Sequence, residues 1–550
     1  MTSNMLIPDF PFSYDKYIRH PAGLGHIPAN SHGRKVAIIG AGMAGLVAGH
    51  ELMKLGAHPV VYESSQLGGR MRSATFDGVD TPVADLGAMR FPQSGRTFFH
   101  YANAAGVQTE PFPNPLTSAT PSTVIELAGE KFYAKTMDDL PAVFHEVSNA
   151  WRTSMDSVQI GEMRRAIKHR DTATIKALWD PLVASLDDES FYGFLARSPG
   201  FRDLPFHHRE IFGQVGFGTG GWDTDFPNSI LEVLRVVFTD ADSEHHRIVG
   251  GAVQLPKKLW TLEPPHVAHW PRGTSLASLH RGGPRLGVAR IHRNPQGSIT
   301  VTDRLGNEDN YDAVVVTCQT WLLSARIDCD EALFSHKMWA AMERSHYMQS
   351  SKTFVMVDRP FWRDADPDTG RDAMSMTLTD RLTRATYLLD DGPGRPASLC
   401  LSYTWNDDAM KWLALDPHER VRLMLHSLQK IYPDVDIASH IRGEPITVSW
   451  ESDPNFMGAF GNNLPGHYRY QRRLFNHFVQ QELPAVEQGI FLAGDDISFT
   501  AGWAEGAVTT ALNAVWGVQR LFGGRSHGDN LGPGDVFDAL APVDLDGNSV

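Results

Sequence analysis

The most constraining feature of this chain is a glycine-spaced turn that directly follows a short apolar segment. Residues 34–45 read Arg-Lys-Val-Ala-Ile-Ile-Gly-Ala-Gly-Met-Ala-Gly, and a helix-like stretch follows at 46–55. A second apolar segment at 59–62 ends at Glu63, 23 positions after the first glycine. The three glycines of the turn are Gly40, Gly42 and Gly45. A strand, glycine turn, helix, strand and acidic residue in this register are typical of a βαβ unit that binds a dinucleotide.

Each residue of this fingerprint has a physical task. Gly40 permits the tight turn, Gly42 lets the backbone approach the pyrophosphate, and Gly45 lets the helix pack on the strand. The helix N-terminus offers unpaired N–H groups and the positive end of its dipole to the phosphates. Glu63 is placed to accept hydrogen bonds from ribose hydroxyls. The fingerprint predicts a dinucleotide without specifying which one.

Length and charge narrow the class of protein. A chain of 550 residues is too long for one hydrophobic core, so two or three domains are expected. The net charge of −14 argues against a nucleic acid or an anionic membrane as the main partner. No apolar run reaches the ~18 residues that a membrane span needs. Because residues 1–12 also lack a signal-peptide pattern, we expect a cytoplasmic protein.

Neither a disulfide framework nor a metal site is indicated. The chain has only three cysteines, and none has CxxC spacing. The segments 207–208 and 242–246 carry metal-capable side chains, but their spacing matches no recognised site. We interpret them as surface residues and expect no metal.

Further motifs occur in a fixed order along the chain. They are Gly68-Gly69-Arg70, Gly250-Gly251, Gly494-Asp495 and Trp503-Ala504-Glu505-Gly506-Ala507. Together with the fingerprint, they make the chain from 34 to 521 resemble the flavin amine oxidase family. That family includes monoamine oxidases, L-amino-acid oxidases and amino-acid 2-monooxygenases. The phrases at 9–12, 20–25 and 217–223 are most similar to the bacterial L-lysine 2-monooxygenases and L-lysine oxidases.

The resemblance implies FAD as the dinucleotide. The residues it assigns to cofactor binding are Gly40, Gly42, Gly45, Glu63, Gly69, Arg70, Met89, Val253, Gly494, Asp495, Trp503 and Ala504. Arg70 would neutralise a phosphate, and Asp495 would lie at the ribityl chain and pyrophosphate. The helix after Trp503 would direct its N-terminus at the pyrimidine end of the flavin. In isolation, Arg70 also fits a solvated turn residue and Asp495 a helix N-cap.

The resemblance also implies a set of residues around an amino-acid substrate. Arg90 matches the position that holds the substrate carboxylate, which a guanidinium binds through two parallel hydrogen bonds. Tyr403 would add a phenol donor, and Lys352 would hold a water beside flavin N5. Each residue also has an alternative interpretation. Arg90 fits an internal ion pair, Tyr403 fits a core position, and Lys352 fits a strand-end lysine that extends to solvent.

The side-chain end of the substrate pocket is predicted from four residues. Asp225 matches the acid that holds a distal ammonium, although it also fits an N-cap for the helix near Ile230. Trp405, Phe460 and Trp503 would form apolar walls around the substrate side chain. As single aromatic residues they also fit an ordinary core.

We predict an α/β fold with an α+β second domain. Strand patterns near residues 36, 60, 314 and 491 indicate one Rossmann-like FAD-binding sheet assembled from discontinuous segments. The predicted FAD-binding segments are 34–100, 243–327 and 486–523. A mixed-sheet substrate domain is predicted at 101–155 and 328–485, with a helical insertion at 156–242. Residues 1–33 and 524–550 are terminal arms.

The expected activity is FAD-dependent oxidation of a basic L-amino acid, L-lysine above others. Hydride transfer from Cα to the flavin would be followed by decarboxylation to the amide or by release of a keto acid and peroxide. The expected partners are an L-amino acid and dioxygen, and the expected assembly is a homodimer. The alternatives are an L-arginine enzyme and an aromatic L-amino-acid oxidase such as a tryptophan 2-monooxygenase. A different class is an NAD-dependent dehydrogenase or a non-catalytic nucleotide-binding protein.

Overall fold

A five-stranded parallel sheet forms the nucleotide-binding side of the molecule. The computed structural model describes residues 4–215 and 226–546. The strand order is Arg285–Leu286, His58–Glu63, Lys35–Ile39, Ala313–Val316 and Ile490–Leu492. These strands come from distant parts of the chain. The edge strand Arg285–Leu286 is exposed, whereas the other four are mostly apolar and buried, as expected for a sheet covered on both faces. We call it the nucleotide sheet.

The carboxyl ends of four of these strands meet at one edge. Gly40, Glu63, Thr317 and Gly494 all lie there, at or just beyond the ends of their strands. Helices Met43–Lys54 and Ala504–Leu521 are almost wholly buried and pack on one another beside this sheet. Ligands of open α/β sheets bind outside the carboxyl ends of the strands, so this edge is where a cofactor is expected.

A seven-stranded mixed sheet forms the opposite side of the molecule. Its order is Ile441–Ser449, Ser350–Val357, Ala397–Trp405, Ala385–Leu389, Met376–Thr379, Thr123–Leu127 and Glu130–Ala134. All neighbouring pairs are antiparallel except Met376–Thr379 with Thr123–Leu127. We call it the substrate sheet. Its strands come from segments that the sequence assigned to the substrate domain, whose boundaries remain a prediction.

A group of helices follows the first two strands of the substrate sheet. They are Ala142–Asp156, Ile160–His169, Thr172–Leu186, Phe191–Arg197, Phe206–Val215 and Ile230–Phe238. The group begins before the expected position of 156, because Phe144, Val147 and Ala150 already bury one helical face.

The remaining elements connect these three parts. The other α-helices are Tyr14–Tyr17, Arg96–Ala104, Gln254–Thr261, Leu276–Leu279, Leu322–Ala325, His336–Arg344, Asn406–Met410, Pro417–Ile431, Ile437–His440, Tyr468–Asn476 and Phe537–Leu540. The other strands are Ser73–Thr75, Val83–Asp85, Phe91–Pro92, Thr109–Pro111, His245–Ile248, Val288–Arg293, Ile299–Asp303, Glu308–Tyr311, Asp328–Cys329, Tyr347–Met348 and Phe460–Gly461. Short 3-10 helices span Ala29–Ser31, Met137–Asp139, Glu331–Leu333, Phe361–Arg363, Trp450–Ser452, Ala485–Glu487, Asp495–Ile497 and Pro533–Val536.

The two terminal arms contact one another and the body of the protein. Asn530 donates hydrogen bonds to the carbonyls of Tyr17 and Gly23 at 3.0 and 3.1 Å. The hydroxyl of Tyr14 donates to Asn513 at 2.7 Å. The N-terminal arm is therefore part of the packed structure. Across residues 4–215 and 226–546, no helix has the length and apolar character needed to cross a membrane.

Candidate active site

A cavity of about 920 Å³ extends from the carboxyl edge of the nucleotide sheet to the substrate sheet. The predicted site residues that line it are Gly40, Gly42, Glu63, Gly69, Arg70, Met89, Arg90, Lys352, Tyr403, Trp405, Phe460, Gly494, Asp495, Trp503 and Ala504. Residues predicted for the cofactor and for the substrate thus share one continuous space.

The glycine turn of the fingerprint leaves room for a ligand. A Cβ on Gly45 would lie 2.0 Å from the carbonyl oxygen of Gly40, so only glycine lets the helix approach the strand this closely. A Cβ on Gly42 would meet no described protein atom within 4 Å, and Gly42 lines the cavity. The open side of the turn therefore faces the cavity and fits a dinucleotide pyrophosphate.

Glu63 is held beside this turn by backbone donors. Its Oε2 accepts from the N–H of Ala41 and its Oε1 from the N–H of Ser65, both at 2.8 Å. Burial raises the pKa of Glu63, while these backbone donors act in the opposite direction. The carboxylate is fixed where the fingerprint predicts the ribose to lie.

Arg70 and Asp495 form an ion pair across the cavity wall. Arg70 Nη1 donates to Asp495 Oδ2 and to the carbonyl of Ala459, both at 3.0 Å. Both side chains are largely buried, so Arg70 is not the solvated turn residue of the alternative interpretation. Asp495 also does not act as the N-cap of the 3-10 helix Asp495–Ile497, because that position is Gly494.

Arg90 and Tyr403 lie together at the substrate-sheet end of the cavity. The guanidinium carbon of Arg90 is 5.8 Å from the centre of the Tyr403 ring and 6.0 Å from that of Phe112. Burial raises the pKa of Tyr403, and the positive charge of Arg90 opposes that rise. A guanidinium and a phenol that both line the cavity can bind one carboxylate.

Lys352 is buried on the strand next to Tyr403. Its side chain does not extend to solvent, since the residue is only 2% exposed. Its Nζ donates to the carbonyls of Asp85 and Gly87 at 3.0 and 2.6 Å and lies 4.7 Å from the Tyr403 ring centre. Burial lowers the pKa of Lys352 to about 8. A buried amine with a pKa close to neutral can hold or move a proton in the cavity.

The aromatic wall of the cavity is larger than predicted. The Trp405 ring lies 5.4 Å from Phe460 and 5.5 Å from Tyr403. The ring of His245 lies 5.4 Å from that of Trp503, and its Nε2 is 2.8 Å from the carbonyl oxygen of Ala241.

The interpretation of His245 as a surface residue was wrong. This side chain is buried, lines the cavity, and has a pKa lowered by burial to about 3. No spacing in the sequence could have revealed this position, because the contact of His245 with Trp503 forms only in the folded chain. Among the described residues, no group of three or more metal-ligating side chains is arranged to hold a metal ion.

Of the predicted residues that the structure describes, two are not among those that line the cavity, Gly45 and Val253. Gly45 lies behind the turn, against Gly40, as its packing role requires. Val253 precedes helix Gln254–Thr261, and its N–H donates to Ser73 Oγ at 3.1 Å. The prediction for Val253 therefore has no support from this geometry.

The predicted substrate residue Asp225 lies outside the described residues. The N-cap of helix Ile230–Phe238 is Ser229, whose Oγ accepts from the N–H of Leu231. The capping role that was the alternative for Asp225 is therefore filled by another residue.

Helix Ile230–Phe238 contributes site residues that the sequence analysis did not identify. Glu232, Val233, Arg235 and Val236 all line the cavity. Their pattern in the sequence predicted only an apolar helix. The sequence signal that could have found them is the pair of opposite charges on one face of that helix.

Comparison with known proteins places these observations in a family. The family model for flavin-containing amine oxidoreductases matches residues 43–519. Tryptophan 2-monooxygenase of Pantoea agglomerans pv. gypsophilae is 30% identical, over 95% of this chain and 96% of its own. Tryptophan 2-monooxygenase of Pseudomonas savastanoi is 31% identical, over 95% of this chain and 97% of its own.

A solved structure shows the same fold. A putrescine oxidase bound to putrescine has a TM-score of 0.67 and 19% sequence identity, over 88% of this chain and 99% of its own. The chain belongs to the family of flavin-containing amine oxidoreductases. It is an enzyme whose cofactor is FAD, and the cavity residues described above fit that cofactor. The predictions of family, α/β fold class, FAD and FAD-dependent oxidoreductase are confirmed.

Two glycine variants distinguish folding from cofactor binding at the fingerprint. Gly45→Ala places a Cβ against the carbonyl of Gly40, so we expect the free energy of unfolding of the apoprotein to fall by about 1–3 kcal/mol. Gly42→Ala meets no described protein atom, so we expect an unchanged melting temperature of the apoprotein and weaker FAD binding. Differential scanning calorimetry and FAD titration measure the two effects. Unchanged FAD affinity in Gly42→Ala would contradict the assignment of this turn.

Proposed function

We propose that this enzyme oxidises an L-amino acid and acts as a 2-monooxygenase, converting the amino acid into the amide with one carbon fewer. The observation that carries the proposal is the placement of Arg90 and Tyr403 beside buried Lys352, in the same cavity as the cofactor cradle. A guanidinium in this position suits a substrate with a carboxylate, which a simple amine lacks.

The residues of the cavity have separate roles in the proposed reaction. Arg90 and Tyr403 bind and orient the substrate carboxylate, which fixes the position of Cα. Lys352 holds a proton or a water between Tyr403 and the carbonyls of Asp85 and Gly87. The aromatic walls exclude bulk water, which favours retention of the imino acid. Bound FAD supplies the two-electron oxidation and, once reduced, the reaction with dioxygen.

Tryptophan is the first candidate substrate. Both relatives named above are tryptophan 2-monooxygenases and match almost the whole chain, which favours the aromatic alternative over the lysine interpretation. The aromatic rings of Trp405, Phe460 and Trp503 provide surfaces against which an indole can stack.

L-Lysine is the second candidate, and a specific observation favours it. Acidic residues of the helix Ile230–Phe238 and of the following turn line the cavity, namely Glu232, Asp242 and Glu244. Carboxylates near the side-chain end of a pocket favour a cationic substrate. The resemblance of the segments 9–12 and 20–25 to the lysine enzymes points in the same direction.

A substrate panel tests both candidates. Purified enzyme is offered the L-amino acids, and the amide and the peroxide are quantified for each. We expect one large nitrogen-bearing substrate, tryptophan or lysine, to exceed all small aliphatic substrates in kcat/KM, with the amide as the main product. Peroxide with keto acid as the only products would contradict the monooxygenase proposal, and turnover of amines without a carboxylate would contradict the role of Arg90. The dimer and the cytoplasmic location stay predictions.

A further inference from the structure

Glu232 presents a carboxylate oxygen to the cavity. The residue is 9% exposed and lines the cavity. Its Oε1 accepts from Arg235 Nη1 and from Asn463 Nδ2, both at 2.8 Å. Within residues 4–215 and 226–546, Oε2 has no hydrogen-bond donor. One oxygen is thus committed to the protein, and the other is left for a ligand.

Arg235 cannot neutralise Glu232 completely, because it is shared. Its Nε and Nη2 donate to Asp9 Oδ2 and Oδ1 at 2.8 and 3.0 Å, and only Nη1 reaches Glu232. Asp9 is fully buried and Arg235 is 2% exposed. One guanidinium and two carboxylates carry one surplus negative charge when both acids are ionised. An uncompensated charge in a buried cluster is costly, so a ligand that compensates it is favoured.

The charged groups around this cluster have partners of their own. Lys176 forms an ion pair with Asp180 at 2.7 Å, and Arg469 is 3.8 Å from Asp187. Arg469 also lies 3.6 Å from Asp546, so neither of these cations is in excess and the surplus charge of the cluster is left unchanged. The Phe499 ring covers the guanidinium of Arg235 at 4.9 Å. Asp9 is fully buried and does not line the cavity, so the free oxygen of Glu232 is the negatively charged part of the cluster that a ligand can reach.

The geometry points to Glu232 as a specificity-determining residue that accepts a hydrogen bond from the side-chain nitrogen of the substrate. Arg235 positions Glu232, and Asp9 of the N-terminal arm positions Arg235. The N-terminal arm therefore contributes indirectly to the choice of substrate. This inference rests on the proposed function and specifies which chemical group the substrate side chain must contain. That chemistry is an N–H donor, from the ammonium of lysine or from the indole of tryptophan.

The test uses Glu232→Gln in the holoenzyme. The glutamine carbonyl can take over the bonds from Arg235 and Asn463, which need an acceptor. Its NH₂ then points to the cavity, so an acceptor for the ligand is replaced by a donor. The probes are substrate analogues that lack the α-amino group and therefore bind without reacting. The ammonium arm compares 6-aminohexanoate with hexanoate, and the indole arm compares 3-indolepropionate with its N-methylated form.

In the wild-type enzyme, we expect the N–H-bearing member of at least one arm to bind about 10- to 100-fold more tightly than its partner, as charge-assisted hydrogen bonds allow. Glu232→Gln should abolish that preference and leave the affinity for the partner unchanged. The pair of analogues that shows the preference identifies which side-chain nitrogen, the ammonium or the indole, donates to Glu232. Titration followed by the flavin absorbance measures all affinities.

Asp187→Asn is the matched control. It removes another buried acid near the same cluster, but Asp187 does not line the cavity. It should keep the wild-type preference. The inference is overturned if neither arm shows a preference in the wild type, or if Glu232→Gln weakens both members of a pair equally. Because these analogues do not react, their binding tests the role of Glu232 independently of turnover. If the amino-acid panel shows no turnover, that result contradicts the proposed function and not the role of Glu232.

Discussion

Replacing Arg90 with methionine is expected to lower kcat/KM for the amino acid by about 30- to 1,000-fold. The reason is the loss of a charge-assisted, two-pronged contact with the substrate carboxylate, worth roughly 2–4 kcal/mol. Methionine keeps much of the side-chain volume and removes the charge. FAD should remain bound, because Arg90 is assigned to the substrate and not to the cofactor. Steady-state kinetics and the flavin absorbance of the purified variant measure the two quantities.

A control variant separates this effect from a general loss of positive charge. Arg381 lies between strands Met376–Thr379 and Ala385–Leu389 of the substrate sheet and forms a partly buried ion pair, with Nη2 at 2.7 Å from Glu126 Oε1, but it does not line the cavity. Arg381→Met should therefore leave kcat/KM within a few-fold of the wild-type value. Near-normal kinetics in Arg90→Met would remove Arg90 from the substrate site.

The nucleotide-binding half of the molecule could be predicted closely from the sequence. The residues of the fingerprint from Gly40 to Glu63 are local in the chain, and their spacing alone determines a strand, a turn and a helix. Glycine roles are also local, since the Cβ that Gly45 lacks would collide with a residue only five positions away. Strand Ile490–Leu492 is distant in sequence, but its apolar run followed by Gly494 carries its own signal.

The substrate end of the cavity was only partly predictable. Arg90, Tyr403 and Lys352 were identified through family resemblance, whereas Lys352 and Tyr403 are brought together by strand pairing between residues about 50 positions apart, and Arg90 reaches them from a distant segment of the chain. His245 was missed because nothing near it in sequence distinguishes a cavity-lining side chain from a surface one. Glu232 was missed because its only sequence signal, the opposite charge of Arg235 on the same helical face, does not show what that face contacts. Their roles arise from contacts with Trp503 and with Arg235 and Asn463, which only the folded chain brings together.

The N-terminal arm illustrates the same limit. Residues 1–33 were predicted to form a terminal arm, but a contact of this arm with the cavity wall was not predicted. Asp9 is buried against Arg235, which itself lines the cavity. Asp9 and Arg235 are 226 residues apart in the sequence. No pattern of neighbouring residues marks such a distant ion pair, so the spacing of residues could not have predicted it.

Lys352→Met is expected to slow the reaction of the bound flavin with substrate or with dioxygen by about a hundredfold, the usual range for a lost proton-transfer group. Substrate affinity should change little, because Arg90 and Tyr403 remain. Rapid-mixing absorbance measurements, made without and then with oxygen, show which half-reaction is slowed. Lys131→Met is a suitable control, since Lys131 is a lysine of the same sheet whose Nζ also donates to a backbone carbonyl, that of Ile431 at 3.0 Å, and it does not line the cavity. Unchanged rates in both half-reactions would leave Lys352 with a structural role only.

The same variant has a pH signature in stability. Burial lowers the pKa of Lys352 from 10.5 to about 8, so between these values the unfolded chain binds more protons than the folded one. The free energy of unfolding of the wild type should therefore rise, relative to Lys352→Met, as the pH increases from about 8 to 10.5. The full difference corresponds to about 3 kcal/mol, at roughly 1.4 kcal/mol for each unit of pKa. Denaturant unfolding of both proteins across this range measures it. A pH-independent difference would show that the ammonium of Lys352 remains charged in the fold, and that the two carbonyls of Asp85 and Gly87 compensate its burial.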